Sequence, residues 1–391
     1  MSQHDPADHA IIQDHGRAAC RVVHALVTPL RCGTKAVPHQ DAQVCAASAS
    51  VIRLYFRYRG RESRGRLAPT GVFPGEMTLR TWLTERFGLA VPVVGAPMAG
   101  VGAGRLAAAV SEAGALGMIG VAAAAAGEWI TKEAAVAGGG PYGIGLMAWA
   151  LTGNPAQFDA VLELRPTIVS VSFGPYARYV EELRQAGITV VTQAGTTDEA
   201  RAAEQAGVDA VVARGAEAGG HGRDAVATLP LLQSVLDAVS VPVLAAGGIS
   251  TARGLAAVLA AGAAGAWVGT AFMGCAETAL SETATERLLA AGETGTAYGR
   301  VFDIAQRLDW PPEYGGRALR NAFFDEWAGR EDELAADDDA PARQAAARAG
   351  GDFDTACIYA GQAVGMVRER RTAADVVAGF AAAEELLARF A

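Results

Sequence analysis

From Val91 onward the chain repeats one pattern, and that repeat constrains the fold more than any other feature. A short apolar, β-rich run gives way to a Gly or Pro turn and then to an amphipathic or Ala-rich stretch. The strand candidates are VPVVG (91–95), LGMIGV (116–121), YGIGLMA (142–148), TIVSVSF (167–173), ITVVTQ (188–193), DAVVA (209–213), VPVLAA (241–246) and GAWVGT (265–270). They recur every ~20–30 residues, the length of a βα unit with its loops. None alternates cleanly, as expected of parallel strands covered on their helix side. Eight consecutive units predict an α/β protein of the closed (β/α)8, or TIM, barrel type, because open doubly wound sheets more often stop earlier. Two helix starts are marked locally. Thr196 and Glu199 have capping-box spacing, and Ser250 precedes a stretch whose Leu255, Val258 and Leu259 share a face. Residues 278–391 read as mostly helical, with extended pieces near 295–303 and 310–316.

The first 77 residues lack this grammar and read as a poorly ordered N-terminal extension, with residues 78–391 as the folded domain. Residues 1–70 hold ten Arg or Lys and five Asp or Glu, although the whole chain carries a net charge of −9. The run VIRLYFRYRGRESRGR (51–66) interleaves arginines with aromatics. Against it, the acidic balance of the rest disfavours a nucleic-acid binder, and no leader-type apolar segment with a small-residue cleavage site opens the chain. A start of translation at Met77 is a sharper expectation, since MTLRTWLTERFG begins a regular domain at once. Residues 254–276 carry no charge, a length that would cross a bilayer, but five glycines interrupt them. Helix, turn and buried strand is the better reading, with no membrane association. Cysteines at 20, 32, 45, 275 and 357 form no CxxC pair, which points to a reducing, cytoplasmic compartment and to neither a disulfide scaffold nor a zinc site.

In a barrel of this kind the chemistry lies at the C-terminal ends of the strands. GAPMAGVGAG (95–104) makes a thin loop there, suited to close backbone approach by a planar ligand, though it lacks GxGxxG spacing. AAGGIS (245–250) and VGTAFM (268–273) follow the seventh and eighth predicted strands, where barrels commonly bind phosphate through backbone N–H groups. Gly247, Gly248, Gly269 and Thr270 are the candidate donors; close strand–helix packing is the alternative explanation. After the sixth strand comes ARGAEAGGHGR (213–223), which holds His221, the one histidine beyond residue 39. Gly219, Gly220 and Gly222 flank it, as though to clear space around the imidazole. A histidine in an open cleft suits proton transfer near neutral pH, with Glu217 and Arg223 placed to orient the loop. A lone histidine makes a poor metal site, GxSxG is missing, and Lys132 sits in a helix candidate, so metal, serine-hydrolase and Schiff-base chemistry are all disfavoured.

Taken in order, GAPMAG, EAGGHG, AAGGI and GTAFM resemble the nitronate monooxygenases, and YAGQAVG (359–365) resembles that family's C-terminal AGQ element. The resemblance covers roughly residues 78–391. It implies a barrel that binds FMN and oxidises alkyl nitronates, and in some members nitroalkanes, with O2 to carbonyl compounds and nitrite. Carried over by position, Pro97, Met98 and Ala99 would run along the isoalloxazine, Gln193 would reach the flavin, and Gly219 and Gly220 would border it. The phosphate would rest on Gly247, Gly248, Gly269 and Thr270. His221 would be catalytic, binding the nitronate and, in members that accept neutral nitroalkanes, removing the α-proton, while Gln362 would approach from the C-terminal segment. The family often has Asn at the end of its third strand. Here the run is GIGLMAWAL, with Met147 and Trp149, and Trp149 is expected to shape an apolar substrate pocket.

A flavin-dependent enoyl-ACP reductase is the nearest competing activity, disfavoured by the acidic barrel, which offers no basic dock for an acidic carrier protein. Dehydrogenase chemistry of the IMP type would need a nucleophilic cysteine in a mid-barrel loop, where neither Cys275 nor Cys357 falls. A flavin-binding barrel without catalysis is the non-enzymatic alternative. The physiological substrate, any use of NAD(P)H and the number of subunits stay open, with a homodimer as one assembly to test.

Overall fold

The computed structural model describes residues 79–390. The extension, its arginine-rich run and the start at Met77 lie outside the described residues. The strands are β1 (Val93–Gly95), β2 (Gly117–Gly120), β3 (Tyr142–Met147), β4 (Ile168–Ser172), β5 (Thr189–Ala194), β6 (Ala210–Arg214), β7 (Gly220–His221), β8 (Val243–Ala246), β9 (Gly265–Val268), β10 (Thr296–Gly299) and β11 (Gly316–Leu319). Eight of them form one parallel row in the order β1-β9-β8-β6-β5-β4-β3-β2. A parallel bridge between Val94 and Leu116 joins the two ends of that row. Two hydrogen bonds secure it, Gly95 N–H to the Leu116 carbonyl at 2.8 Å and Leu116 N–H to the Val93 carbonyl at 3.0 Å. The sheet thus closes as a (β/α)8 barrel, and every predicted strand lies within two residues of an observed one.

The missing alternation has a physical cause: both faces of these strands are buried. Val93, Ile119, Ile144 and Val169 pack outward with the surrounding helices. Val94, Met118, Val191, Val212, Leu244 and Trp267 pack inward with Leu83 and Leu89. Leu83 belongs to the helix Trp82–Phe87, opened by a Thr81–Thr84 capping box and ended by left-handed Gly88. That helix underlies the N-terminal ends of the strands, where Arg86 donates to Thr189 Oγ1 at the start of β5. It leaves the opposite, C-terminal rim for chemistry. The uncharged stretch 254–276 resolves into part of the helix Ala252–Ala260, then β9, then the short helix Thr270–Met273.

Three local expectations need correction. Thr251, not Ser250, caps the helix Ala252–Ala260, because it is Thr251 that has extended backbone and accepts from Gly254 N–H. Ser250 Oγ is buried without a partner. Thr196 does cap its helix, accepting from Glu199 N–H at 3.2 Å, but the Glu199 carboxylate reaches Gly195 N–H at 2.7 Å and leaves the box unclosed. The second extended piece forms a strand only at Gly316–Leu319, since Pro311 and Pro312 offer no N–H to a ladder. This β11 pairs antiparallel with β10 and with β7, a two-residue strand that the sequence reading lacked. The resulting small sheet carries His221, which pairs with Gly316.

Candidate active site

The loop after β6 is shaped by a buried guanidinium. Arg214, 4% exposed, donates through Nη2 to the carbonyls of Ala218, Gly219 and Gly220 at 3.2, 3.0 and 2.8 Å. Burial pushes its pKa down to about 10. A second arginine, Arg317 of β11, donates to the Ala216 carbonyl and pairs with Asp224. These contacts give the loop glycines reasons other than the expected clearance around the imidazole. A Cβ on Gly222 would lie 2.1 Å from Arg214 Nη1, and one on Gly219 would lie 2.5 Å from Gly361 N. Gly220 takes a positive φ of 70°, which a side chain would strain. Glu217 accepts from Thr228 N–H, and Arg223 pairs with Glu199, tying the loop to its neighbours.

His221 emerges from this loop into an aromatic wall. Trp310 stacks face to face on the imidazole, with centroids 3.7 Å apart and planes 4° from parallel. Tyr359 lies tilted at 5.0 Å. The wall continues from Trp310 to Trp149 and to Phe173, each at 5.3 Å, and from Phe173 to Tyr314. Imidazole Nε2 is 2.7 Å from Asp303 Oδ1, in a pair whose side chains are 9% and 1% exposed. Tyr359 Oη donates to the same oxygen at 3.1 Å.

The turns after β8 and β9 stand on the same rim. Gly247 and Gly248 have φ of 111° and 71°. A Cβ on Gly247 would come within 2.6 Å of Thr228 Oγ1. Among the described residues, the N–H groups of Gly247, Gly248 and Gly269 find no protein acceptor. At the ends of the adjacent strands β8 and β9 these donors form a cradle that fits an anionic group such as a phosphate. Thr270 Oγ1 is already engaged, accepting from Gly361 N–H at 2.9 Å. That bond links the cradle to the histidine loop, because Gly361 packs on Gly219 and Gln362 N–H bonds to the Glu217 carbonyl at 2.9 Å.

The remaining expected residues are placed as follows. Pro97, Met98 and Ala99 arch over the ends of β2 and β3: a Cβ on Gly120 would strike Met98 backbone at 2.3 Å, and one on Gly145 would strike Pro97 at 2.3 Å. Met98 Sδ also faces Gly269, 3.6 Å from where its Cβ would stand. Gln193 lies at the C-terminal end of β5, anchored by its N–H to Ser172 Oγ, with its side chain partly exposed. Trp149 joins the aromatic wall, and its buried Nε1–H has no partner. Gln362 opens a 3-10 turn with an exposed side chain, so its tie to the loop runs through its backbone.

Sequence reasoning missed Asp303, Trp310, Arg214 and, as a site residue, Tyr359. Tyr359 opens the quoted YAGQAVG segment and Arg214 lies in the quoted ARGAEAGGHGR, which were the available signals. Asp303 and Trp310 come from the C-terminal region 82 and 89 positions beyond His221, with no motif to mark them. Among the described residues no group of three or more His, Cys, Asp or Glu gathers as a metal site. No described helix is long and apolar enough to cross a membrane. Burial raises the thiol pKa of Cys357, and pushes that of Cys275 up to about 12, opposite to what a nucleophilic thiolate needs.

Residues 146–382 match the family model described as nitronate monooxygenase. A nitronate monooxygenase from Paraburkholderia phytofirmans is 33% identical over 78% of this chain and 94% of its own length. A Rhodococcus jostii (3aS,4S,5R,7aS)-5-hydroxy-7a-methyl-1-oxo-octahydro-1H-indene-4-carboxyl-CoA dehydrogenase is 38% identical over 58% of this chain and 64% of its own. The crystal structure of a nitroalkane oxidase from Streptomyces ansochromogenes superposes with a TM-score of 0.67 at 32% identity, covering 79% of this chain and 99% of that one. The barrel, the order of its rim motifs and these similarities together place the chain in the nitronate monooxygenase family.

Proposed function

We propose that this chain is an FMN-dependent oxidoreductase that oxidises alkyl nitronates with O2 to carbonyl compounds and nitrite. One observation carries the reading: a cradle of unpartnered backbone donors shares a rim with a histidine walled in by aromatics. The backbone N–H groups of Gly247, Gly248 and Gly269 would hold the flavin phosphate, and the Pro97–Ala99 backbone would support the ring. Bound flavin supplies the capacity to accept electrons from the substrate carbon and pass them to oxygen.

The protein's own part is binding, orientation and exclusion of water. His221 offers a hydrogen bond or positive charge to the anionic nitro group. Trp310 and Trp149 present an apolar surface to the alkyl chain, and Trp149 Nε1–H is free to donate to a substrate or cofactor oxygen. Gln193 is placed to reach the flavin, and Gln362 to border the opening. The buried thiols of Cys275 and Cys357 suit a reducing, cytoplasmic setting.

The test is to load purified full-length protein with FMN and to follow oxygen uptake and nitrite release with propyl nitronate. Turnover is expected, with His221→Ala lowering kcat/KM by about 100-fold or more while the flavin stays bound. Full activity in that variant would contradict the assigned role, and failure to take up FMN would contradict the flavin reading altogether. A thioester reaction is the second reading, favoured by the similarity to the CoA dehydrogenase. Reduction of the bound flavin by a hydroxyacyl-CoA thioester, but no oxygen uptake with nitronate, would select it.

A further inference from the structure

We propose that Asp303 is the positioning residue of this site: it locks His221 as the Nε2–H tautomer and leaves Nδ1 as the nitrogen that meets substrate. The inference rests on the nitronate reading only for the identity of that substrate. A carboxylate is acceptor-only, so at 2.7 Å from Asp303 Oδ1 the imidazole Nε2 must be the donor. Tyr359 cannot reverse this polarity. Burial, and after it the charges of Cys357 and Asp303, raise its pKa well above the ordinary value, so its hydroxyl stays protonated and also donates to Oδ1. The imidazole plane is fixed by the Trp310 stack on one face. Its edge is fixed at Gly316, where a Cβ would lie 3.3 Å from Nε2 and 2.7 Å from Tyr359 Cε1. The carboxylate comes from the helix Val301–Ala305, outside the barrel repeat, and is 1% exposed.

The polarity set by Asp303 bears on the α-proton removal that the resemblance already assigns to His221, a step that a preformed nitronate does not require. With a neutral nitroalkane, Nδ1 takes the α-proton: the C–H bond breaks, an N–H bond forms, the carbon pair becomes the C=N bond of the nitronate, and the negative charge moves to the nitro oxygens. The imidazolium so formed is paired with Asp303. Electron transfer follows later and needs no base: there His221 serves by the hydrogen bond it offers the nitronate, which Asp303→Asn leaves in place. Asp303 should therefore matter for the neutral substrate and little for the preformed anion.

The experiment compares flavin-loaded full-length wild type and Asp303→Asn on nitroethane and on ethyl nitronate. The expected result is a loss of about 100-fold or more in kcat/KM for nitroethane, with less than about fivefold for ethyl nitronate. Equal losses on both substrates, or no loss on either, would overturn the proposal. Should Asp303→Asn fail to fold, Tyr359→Phe removes one of the two donors and should give a smaller split in the same direction; equal effects there would overturn it as well. A readout independent of turnover is the 15N spectrum of histidine-labelled protein, with the His221 signals assigned by their loss in His221→Gln. An Nε2–H tautomer that is lost in Asp303→Asn supports the positioning role even if neither nitro compound is oxidised, in which case only the nitronate reading falls. An Nδ1–H tautomer in wild type contradicts the positioning role directly.

Discussion

The two sides of the rim are made in different ways. On one side, the β8 and β9 turns present backbone N–H groups that find no acceptor among the described residues, in a geometry that glycine alone specifies. On the other, His221 is surrounded by side chains that arrive from distant segments: Asp303, Trp310 and Tyr359 after the barrel, and Trp149 from the end of β3. A backbone site tolerates changes in everything except its glycines, whereas a side-chain wall can be altered one residue at a time. Cofactor retention and substrate handling are therefore expected to be separable by mutation.

Substituting the cradle should have the largest effect. Gly247→Val places a Cβ 2.6 Å from Thr228 Oγ1 at a φ of 111°, so the turn must deform. FMN affinity, followed by fluorescence quenching on titration, should weaken by about 100-fold or more, equivalent to roughly 2.7 kcal/mol. Unchanged affinity would show that the cradle lies elsewhere. Next in size, Trp310→Ala removes the ring stacked on His221. Thermal or urea unfolding should report a loss of about 3–5 kcal/mol for this buried aromatic, and kcat/KM should drop about tenfold as the imidazole gains freedom. FMN affinity should hold, and if it collapsed the two sides of the rim would not be independent. The smallest effect belongs to a residue on neither side. Thr196→Ala deletes a helix cap and should cost about 1 kcal/mol in unfolding, with cofactor binding and turnover unaltered.

The same contrast explains what could be read from the sequence. The barrel was legible because each βα unit is local: a run such as TIVSVSF is a strand by its own composition, and eight such runs fix the closure. The rim position of Gly247, Gly248 and Gly269 was legible because they follow their strands immediately. The His221 loop was only half legible. Its glycines marked it as unusual, but their reasons lie in Arg214 and Gly361, partners that no local pattern pairs with them. Asp303 sits in a short helix with nothing to distinguish it from a surface carboxylate, and only the antiparallel pairing of β7 with β11 brings that region over His221. The strand expected near 310–316 missed for a related reason. Its prolines stop the ladder, and the resulting loop is what frees Trp310 to lie against the imidazole.

The proposed function requires the glycine cradle and His221 to serve one flavin. A crystal structure of the protein grown with FMN tests it most directly. The expected result is phosphate oxygens within hydrogen-bond reach of Gly247, Gly248 or Gly269 N–H, and the isoalloxazine edge facing His221. A flavin whose ring points away from His221, or whose phosphate contacts none of these glycines, would contradict it.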